Sequence, residues 1–404
     1  MTYDDVRQKM RFMIQVLPKQ VETNLTGGNK MKKILALALT IIMALSMVAC
    51  GAKTEEAPAK TETKTETKTE APAKTEAASE KVWPNGTPTV YVGYGAGGGT
   101  DTAVRPVVAA MAEYLGETIN VTNMEGANSS VACDYVLGEE HNGYNLFATG
   151  TGGFSSFPVY GYSESSWQDW ISFHPYSGPA VVFANKNSGI TTTEQVFEYI
   201  ASGKNFGVGA FGNGPHTQFE AICAAKGVAS PNYSLFGSCG DTGVAVIAGD
   251  VQVGAGSLSA VIDYINAGEL IPIFVTCANP FEFVDAGVTA PSVTTEVAGT
   301  DTIPNLNETW PIMIPRDTPA EIVDALTEAF NYAITTDAVK EFAASKGYNM
   351  IGLTGDAADE FLSYSISGYS WTIYNAGLAE GNPADHGIPT LADYNWETVK
   401  ATLK

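Results

Sequence analysis

The chain has 404 residues, 22 Lys+Arg against 44 Asp+Glu, a formal charge of −22 and 45% hydrophobic residues. Charged residues make up only 16%, and 41 glycines put Gly above its usual share of ~7%. That apolar content excludes a wholly disordered chain, the length fits two domains plus extra chain, and the acidic balance excludes a nucleic-acid binder, which needs basic patches.

Residues 1–30 precede a second start-like methionine, Met31, and read as an extension from a mis-assigned start codon. From Met31, Lys32 and Lys33 lead an apolar run that ends at Val48. It is shorter than the ~20 residues of a membrane span, so residues 31–49 read as an export signal. The ending Met47-Val48-Ala49-Cys50 before Gly51 resembles a bacterial lipobox, in which the cysteine is lipidated and becomes the mature N-terminus. Cys50 is expected to carry that lipid; the alternative is an ordinary signal peptide with a bystander cysteine. Residues 50–81 hold six Lys and seven Glu among threonines and alanines, with no apolar periodicity. Such a segment cannot bury enough to order itself and reads as a tether with a root-mean-square span of roughly 30 Å. Residues 82–404 keep nine basic side chains against 34 acidic ones, with Arg105 and Arg316 as the arginines.

The apolar run at 89–94 predicts a buried strand, and Gly-Ala-Gly-Gly-Gly-Thr-Asp from Gly95 leads into a periodic helix that ends at Leu115. Next come a strand at 118–123, a helix to Gly138, and strands at 144–149 and 180–185. A helix at 193–202, a strand at 205–210, a helix at 217–226, a strand at 233–236, a helix at 242–249 and a strand at 251–255 follow. The last third adds a strand at 270–276 and helices at 319–336, 338–346 and 356–379. Strand, glycine turn and helix in alternation define an open α/β sheet protein, whose ligands bind where strand ends meet helix starts. Three such turns are glycine-rich: 95–101, 149–153 and 209–217. Unpaired amides at a helix start bind a carboxylate or phosphate without a basic side chain, although glycine turns also occur for tight geometry alone.

Catalytic signatures do not assemble. No GxxxxGK[ST] loop occurs, and Thr100 holds the last position of what would be GxGxxG. Gly237-Ser238-Cys239-Gly240 has the wrong spacing for a nucleophile elbow. His141, His174, His216 and His386 are scattered without metal-ligand spacing. No metal or cofactor is expected. Cys133, Cys223, Cys239 and Cys277 form no CxxC and read as buried free thiols, and Asp101, Asp241 and Asp250 read as helix-start caps.

The series VYVGYGAGGGTDTAVR, NVTNMEGANSSVACDYV and HNGYNLFATGTGG, continued by FGVGAFGNGPHTQFEA and MIPRDTPAEIVDALTEAF, resembles the receptors of tripartite tricarboxylate transporters, the Bug-type extracytoplasmic solute receptors. The resemblance covers nearly all of residues 86–380. It implies a two-lobed fold like that of type II periplasmic binding proteins, with 82–185 and 310–404 as lobe 1 and 186–309 as lobe 2. It also implies an anion grip made of backbone amides, hydroxyls and water. Tyr94 takes the place of the family's aromatic ring, and Ala96, Gly97, Gly98, Gly99, Thr100 and Asp101 form the first turn. Thr149, Gly150, Thr151 and Gly152 form the second; Phe211, Gly212, Asn213, Gly214, His216 and Thr217 form the third, from the other lobe. Gly240 and Asp241 fall in the next loop, and Ser257 follows Gly256, where many members place an Asp. His216 stands at a position usually hydroxylated and is either a ligand contact or an exposed loop residue.

The implied protein is a monomeric lipoprotein on the extracytoplasmic face of the cell membrane. It would pass a mono-, di- or tricarboxylate to integral permease subunits and do no catalysis. A receptor for an ATP-driven importer or a sensor kinase, or an exported α/β enzyme, are the alternatives. Because the acidic body repels anions, an amino acid stays open as a zwitterionic guest.

Overall fold

The computed structural model describes residues 83–302 and 307–403. The 1–30 extension, the 31–49 signal, the 50–81 tether and the lipid on Cys50 lie outside the described residues. Strand and helix alternate from the start: β1 (Thr89–Val92), α1 (Gly99–Leu115), β2 (Asn120–Asn123), α2 (Ser130–Gly138) and β3 (Asn145–Ala148). Two short helices, α3 (Thr151–Ser155) and α4 (Phe157–Tyr160), lead to the long β4 (Trp170–Asn185). The chain continues with α5 (Thr193–Ala201), β5 (Asn205–Val208), α6 (Gly214–Lys226), β6 (Asn232–Leu235), α7 (Cys239–Ala248), β7 (Val253–Ser257), α8 (Leu258–Asn266) and β8 (Leu270–Val275). A small hairpin, β9 (Phe281–Phe283) and β10 (Val288–Ala290), precedes α9 (Val293–Glu296). The return comprises β11 (Asn307–Thr309), β12 (Ile312–Pro315), α10 (Ala320–Ala333), α11 (Asp337–Ser345), β13 (Asn349–Leu353), α12 (Gly355–Asn375) and α13 (Trp396–Lys400).

The main sheet runs β2-β1-β3-β12-β4-β7-β5-β6, with β8, β11 and β13 also on β4. β1 is parallel to both neighbours, and β5 is parallel to β6 and β7, as βαβ crossovers require. β4 joins the two halves. Its start pairs with β12, its middle with β11 and β13, and Ala180–Asn185 with β7 and β8. Pro175 and Pro179, which cannot donate to a ladder, fall in the stretch where partners change.

Side-chain alternation gives each half a core on both faces of its sheet. In the first half Val90, Val104, Val107, Ile312, Ile314 and Phe330 pack on one side, while Phe147, Trp170, Met313 and Leu362 pack on the other. In the second, Val182, Ala184, Phe206 and Val253 oppose Val181, Phe183, Val246 and Val261. Among the four predicted buried thiols, Cys133, Cys223 and Cys239 are buried and free, whereas Cys277 is free but only half-buried.

Boundaries differ from the sequence reading where caps decide them. The helix expected from residue 217 starts at Gly214, because the Asn213 side chain accepts the His216 amide and Pro215 sits in the first turn, where its missing N–H costs nothing. The one expected from residue 242 starts at Cys239, capped by Ser238. Helix α8 and the first ten residues of β4 were not expected at all.

Candidate functional site

The turn after β1 is built around Asp101. Its buried carboxylate accepts the Gly97 amide at 2.9 Å, the Arg105 guanidinium at 2.6 and 2.9 Å, and the Asn123 amide at 3.0 Å. Burial pushes this carboxyl up, but the bonds from Arg105, Gly97 and Asn123 outweigh it and hold the group below its ordinary value. Gly97, at φ 76, supplies the left-handed residue the turn needs. Asp101 thus fixes the turn and occupies Arg105. Tyr94 is half-buried, and its hydroxyl donates to Asn128 Oδ1 at 2.8 Å. Burial raises that hydroxyl well above the ordinary tyrosine range, so it stays protonated.

In the second turn Thr149 Oγ1 lies 2.7 Å from Ser129 Oγ. Thr151 Oγ1 accepts the Thr309 amide at 3.1 Å, which ties β11 to the start of α3. In the third, His216 Nδ1 accepts the Gly212 amide at 3.0 Å, and the ring packs on Phe211 and Tyr233 with centroids 4.3 and 4.6 Å away. His216 is fully buried, which lowers its pKa to about 3 and keeps it neutral. It is therefore neither an exposed loop residue nor among the side chains that line the cleft. Thr217 donates to Gly212 O at 3.4 Å and stabilises the same turn. Asp241 is exposed and caps α7 together with Ser238, which donates to it at 2.7 Å.

These turns meet face to face. A side chain on Gly99 would stand 2.6 Å from Ser257 Oγ, and one on Gly240 would stand 3.0 Å from the Gly97 carbonyl. The cleft between them is lined by Tyr94, Gly98, Gly99, Thr100, Asn213, Pro215, Ser238, Cys239, Ser257, Glu308 and Trp310, with about 20 Å³ of free volume. That is room for about one water, so the cleft is closed. Six of the expected residues line it: Tyr94, Gly98, Gly99, Thr100, Asn213 and Ser257. Ala96 is exposed on the rim, and Phe211 stays beside Tyr160 in the third turn.

Gly150, Gly152 and Gly214 border the cleft through a residue the sequence reading missed. Glu308, on β11, is 5% exposed. A Cβ on Gly214 would lie 2.5 Å from its Oε2, and one on Gly150 would overlap its Oε1. Burial raises the Glu308 pKa to about 7, a shift limited by the backbone amides of Gly152 and Gly214 and by the Ser257 hydroxyl. The signal in the sequence was one acidic residue entering the apolar run Thr309-Trp310-Pro311-Ile312-Met313. Cys239, at the start of α7, has its thiol pushed up to about 11 by burial and is no nucleophile at neutral pH.

A larger hollow of about 960 Å³ lies between residues 165–169 and the C-terminal segment. Its guanidinium, Arg316, already serves Asp359 at 2.9 and 3.0 Å and the Gln168 and Trp167 carbonyls, and none of the three glycine-rich turns lines it. The glycine-turn cleft is the candidate site.

The same architecture occurs in the solved periplasmic binding protein BugD, which matches with a TM-score of 0.66 at 17% identity, over 74% of this chain and 99% of that one. MatC from Rhodopseudomonas palustris, solved with bound malate, matches with a TM-score of 0.66 at 19% identity, over 72% of this chain and all of that one. A second R. palustris protein, solved with adipate, matches with a TM-score of 0.66 at 22% identity, over 74% and 99% of the two chains. The fold is therefore the two-lobed one of periplasmic binding proteins. Residues 103–364 match the model of the tripartite tricarboxylate transporter family receptor, and the chain belongs to that family. Among its relatives are a protein of the UPF0065 group from Bordetella bronchiseptica, 24% identical over 65% of this chain and 76% of that one, and BugT of Bordetella pertussis, 22% identical over 70% and 86%. Family and fold are those of a solute-binding receptor.

Proposed function

We propose that the chain is an extracytoplasmic substrate-binding lipoprotein of a tripartite tricarboxylate-type transporter, which closes two lobes on a small carboxylate and hands it to the membrane permease. The observation that carries this reading is the convergence of three helix starts, those of α1, α6 and α7, on one closed cleft whose lining, among the described residues, holds no lysine or arginine. Amides and helix dipoles suit a carboxylate there, and malate and adipate in the similar proteins support that ligand class. Entry requires opening, because no organic acid fits about 20 Å³. The proposed lobes are 82–185 with 310–404, and 186–309, joined through β4, whose end at Ala180–Asn185 already pairs with β7 and β8 of the second lobe.

A thermal-shift screen of mono-, di- and tricarboxylates and amino acids, run beside neutral and cationic small molecules, tests the receptor reading. A true ligand at 100 times its Kd adds about 2.7 kcal/mol, and a melt shifted only by neutral or cationic compounds defeats the carboxylate grip. The proposed anchor makes its own prediction: Cys50→Ala moves the protein from the membrane fraction to the soluble one, and retention in the membrane fraction argues against lipidation at Cys50. Among the described residues no helix is long and apolar enough to cross a membrane.

A further inference from the structure

We propose that Glu308 is a resident carboxylate of the cleft, holding the anion position between Gly152 and Gly214, so that the receptor takes an amine-bearing monocarboxylate and rejects di- and tricarboxylates. This inference rests on the receptor reading and names its substrate class.

A dicarboxylate needs an anion position at each pole. One is the start of α1, which has no side-chain cap and presents Gly98, Gly99 and Thr100 to the cleft. The other consists of the Gly152 and Gly214 amides and the Ser257 hydroxyl, and these already stand against the Glu308 carboxylate. The contact is tight: Gly214 leaves only 2.5 Å between a would-be Cβ and Oε2. Thr151 ties down the strand that carries Glu308 by accepting the Thr309 amide at 3.1 Å. A second ligand carboxylate would meet an occupied position.

The same group defines what the guest needs. Glu308 is buried, and among the described residues no lysine or arginine lines the cleft with it. Arg105 and Arg316 are engaged by Asp101 and Asp359. A buried carboxylate without a counter-cation is costly, and a ligand ammonium supplies the missing charge through a charge-assisted hydrogen bond. The guest's carboxylate then lies at the start of α1 and its amine at Glu308.

Calorimetric titration of the mature protein with β-alanine, L-alanine, propionate, malate and adipate tests this, using wild type, Glu308→Gln and Glu308→Ala. Glu308→Gln keeps the side chain's volume and guards against loss of fold. The expected result is that at least one of the two amino acids binds wild type, at least about tenfold tighter than propionate, and loses about tenfold or more in Glu308→Gln. Malate or adipate should bind Glu308→Ala better than wild type. Malate or adipate binding wild type at least as tightly as the variants overturns the resident-carboxylate proposal and leaves the receptor reading standing. Equal affinity for propionate and both amino acids overturns the amine preference. If none of these acids binds wild type or either variant, the proposal falls, and the wider carboxylate screen decides the receptor reading separately.

Discussion

Gly214 is a helix residue that helix propensity alone would replace. Ala at a helix position is better than Gly by about 1 kcal/mol, and Gly214 has no positive φ to demand glycine. Its constraint is steric: an added methyl would lie 2.5 Å from both the Glu308 Cδ and Oε2 atoms. Gly214→Ala should therefore destabilise by roughly 1–3 kcal/mol as an overpacked contact. In a Glu308→Ala background the same substitution should become neutral or stabilising, because the clash is gone and the propensity gain remains. Urea unfolding of the two single variants and the double variant measures this coupling. Additive effects would mean that Glu308 does not press on Gly214. The Glu308 contact is also the residue-level feature that sequence alone hides. Glycine at a helix start reads as an anion turn whether the anion is a guest or the chain's own side chain, since Gly214 and Glu308 are distant in sequence.

At the scale of elements, most of the fold was legible because local chemistry and tertiary packing agree. The run that became β1 alternates buried and half-buried residues. Apolar residues in α1 recur at Ala103, Val104, Val107, Val108 and Met111, all buried. Helix starts were read late by about three residues at Gly214 and Cys239, because the caps Asn213 and Ser238 sit inside stretches that look like glycine loops. The first ten residues of β4 were illegible for a different reason. His174, Pro175, Ser177, Gly178 and Pro179 have weak strand propensity, and only pairing with β11, β12 and β13 makes them a strand. α8 was missed beside a strand that itself read as short, yet Leu258, Val261, Ile262 and Ile265 are buried at helical spacing. Of the expected turns, the first and third were placed at the cleft by the sequence pattern. The β11 strand that brings Glu308 and Trp310 there was not, since three residues carry no periodicity.

For the whole molecule, the buried groups His174, His216 and Glu308 make opposing contributions to the response to acid. His174, hydrogen-bonded to Thr309 Oγ1 at 2.9 Å and Ser172 Oγ at 3.0 Å, and His216 are both lowered by burial from 6.5 to about 3. Glu308 is raised by burial from 4.5 to about 7. Between pH 6.5 and 4.5 the unfolded chain therefore binds up to two more protons at the histidines, and the folded chain up to one more at Glu308. The excess lies with the unfolded state, so these groups make stability fall as pH falls, by ~1.4 kcal/mol per pH unit. Glu308 acts in the opposite sense to the histidines: its contribution is full below pH 4.5 and is lost as pH rises through about 7. Removing it should steepen the acid loss. Between pH 7.5 and 5.5, Glu308→Gln should lose ~2 kcal/mol more than wild type, read from urea midpoints at the two pH values. Relief of repulsion in so acidic a body acts on both proteins alike and cancels in the comparison. Parallel pH profiles would place the Glu308 carboxyl at its ordinary pKa, and with it a wetter, less closed cleft than the one bounded by Gly150, Gly214 and Ser257.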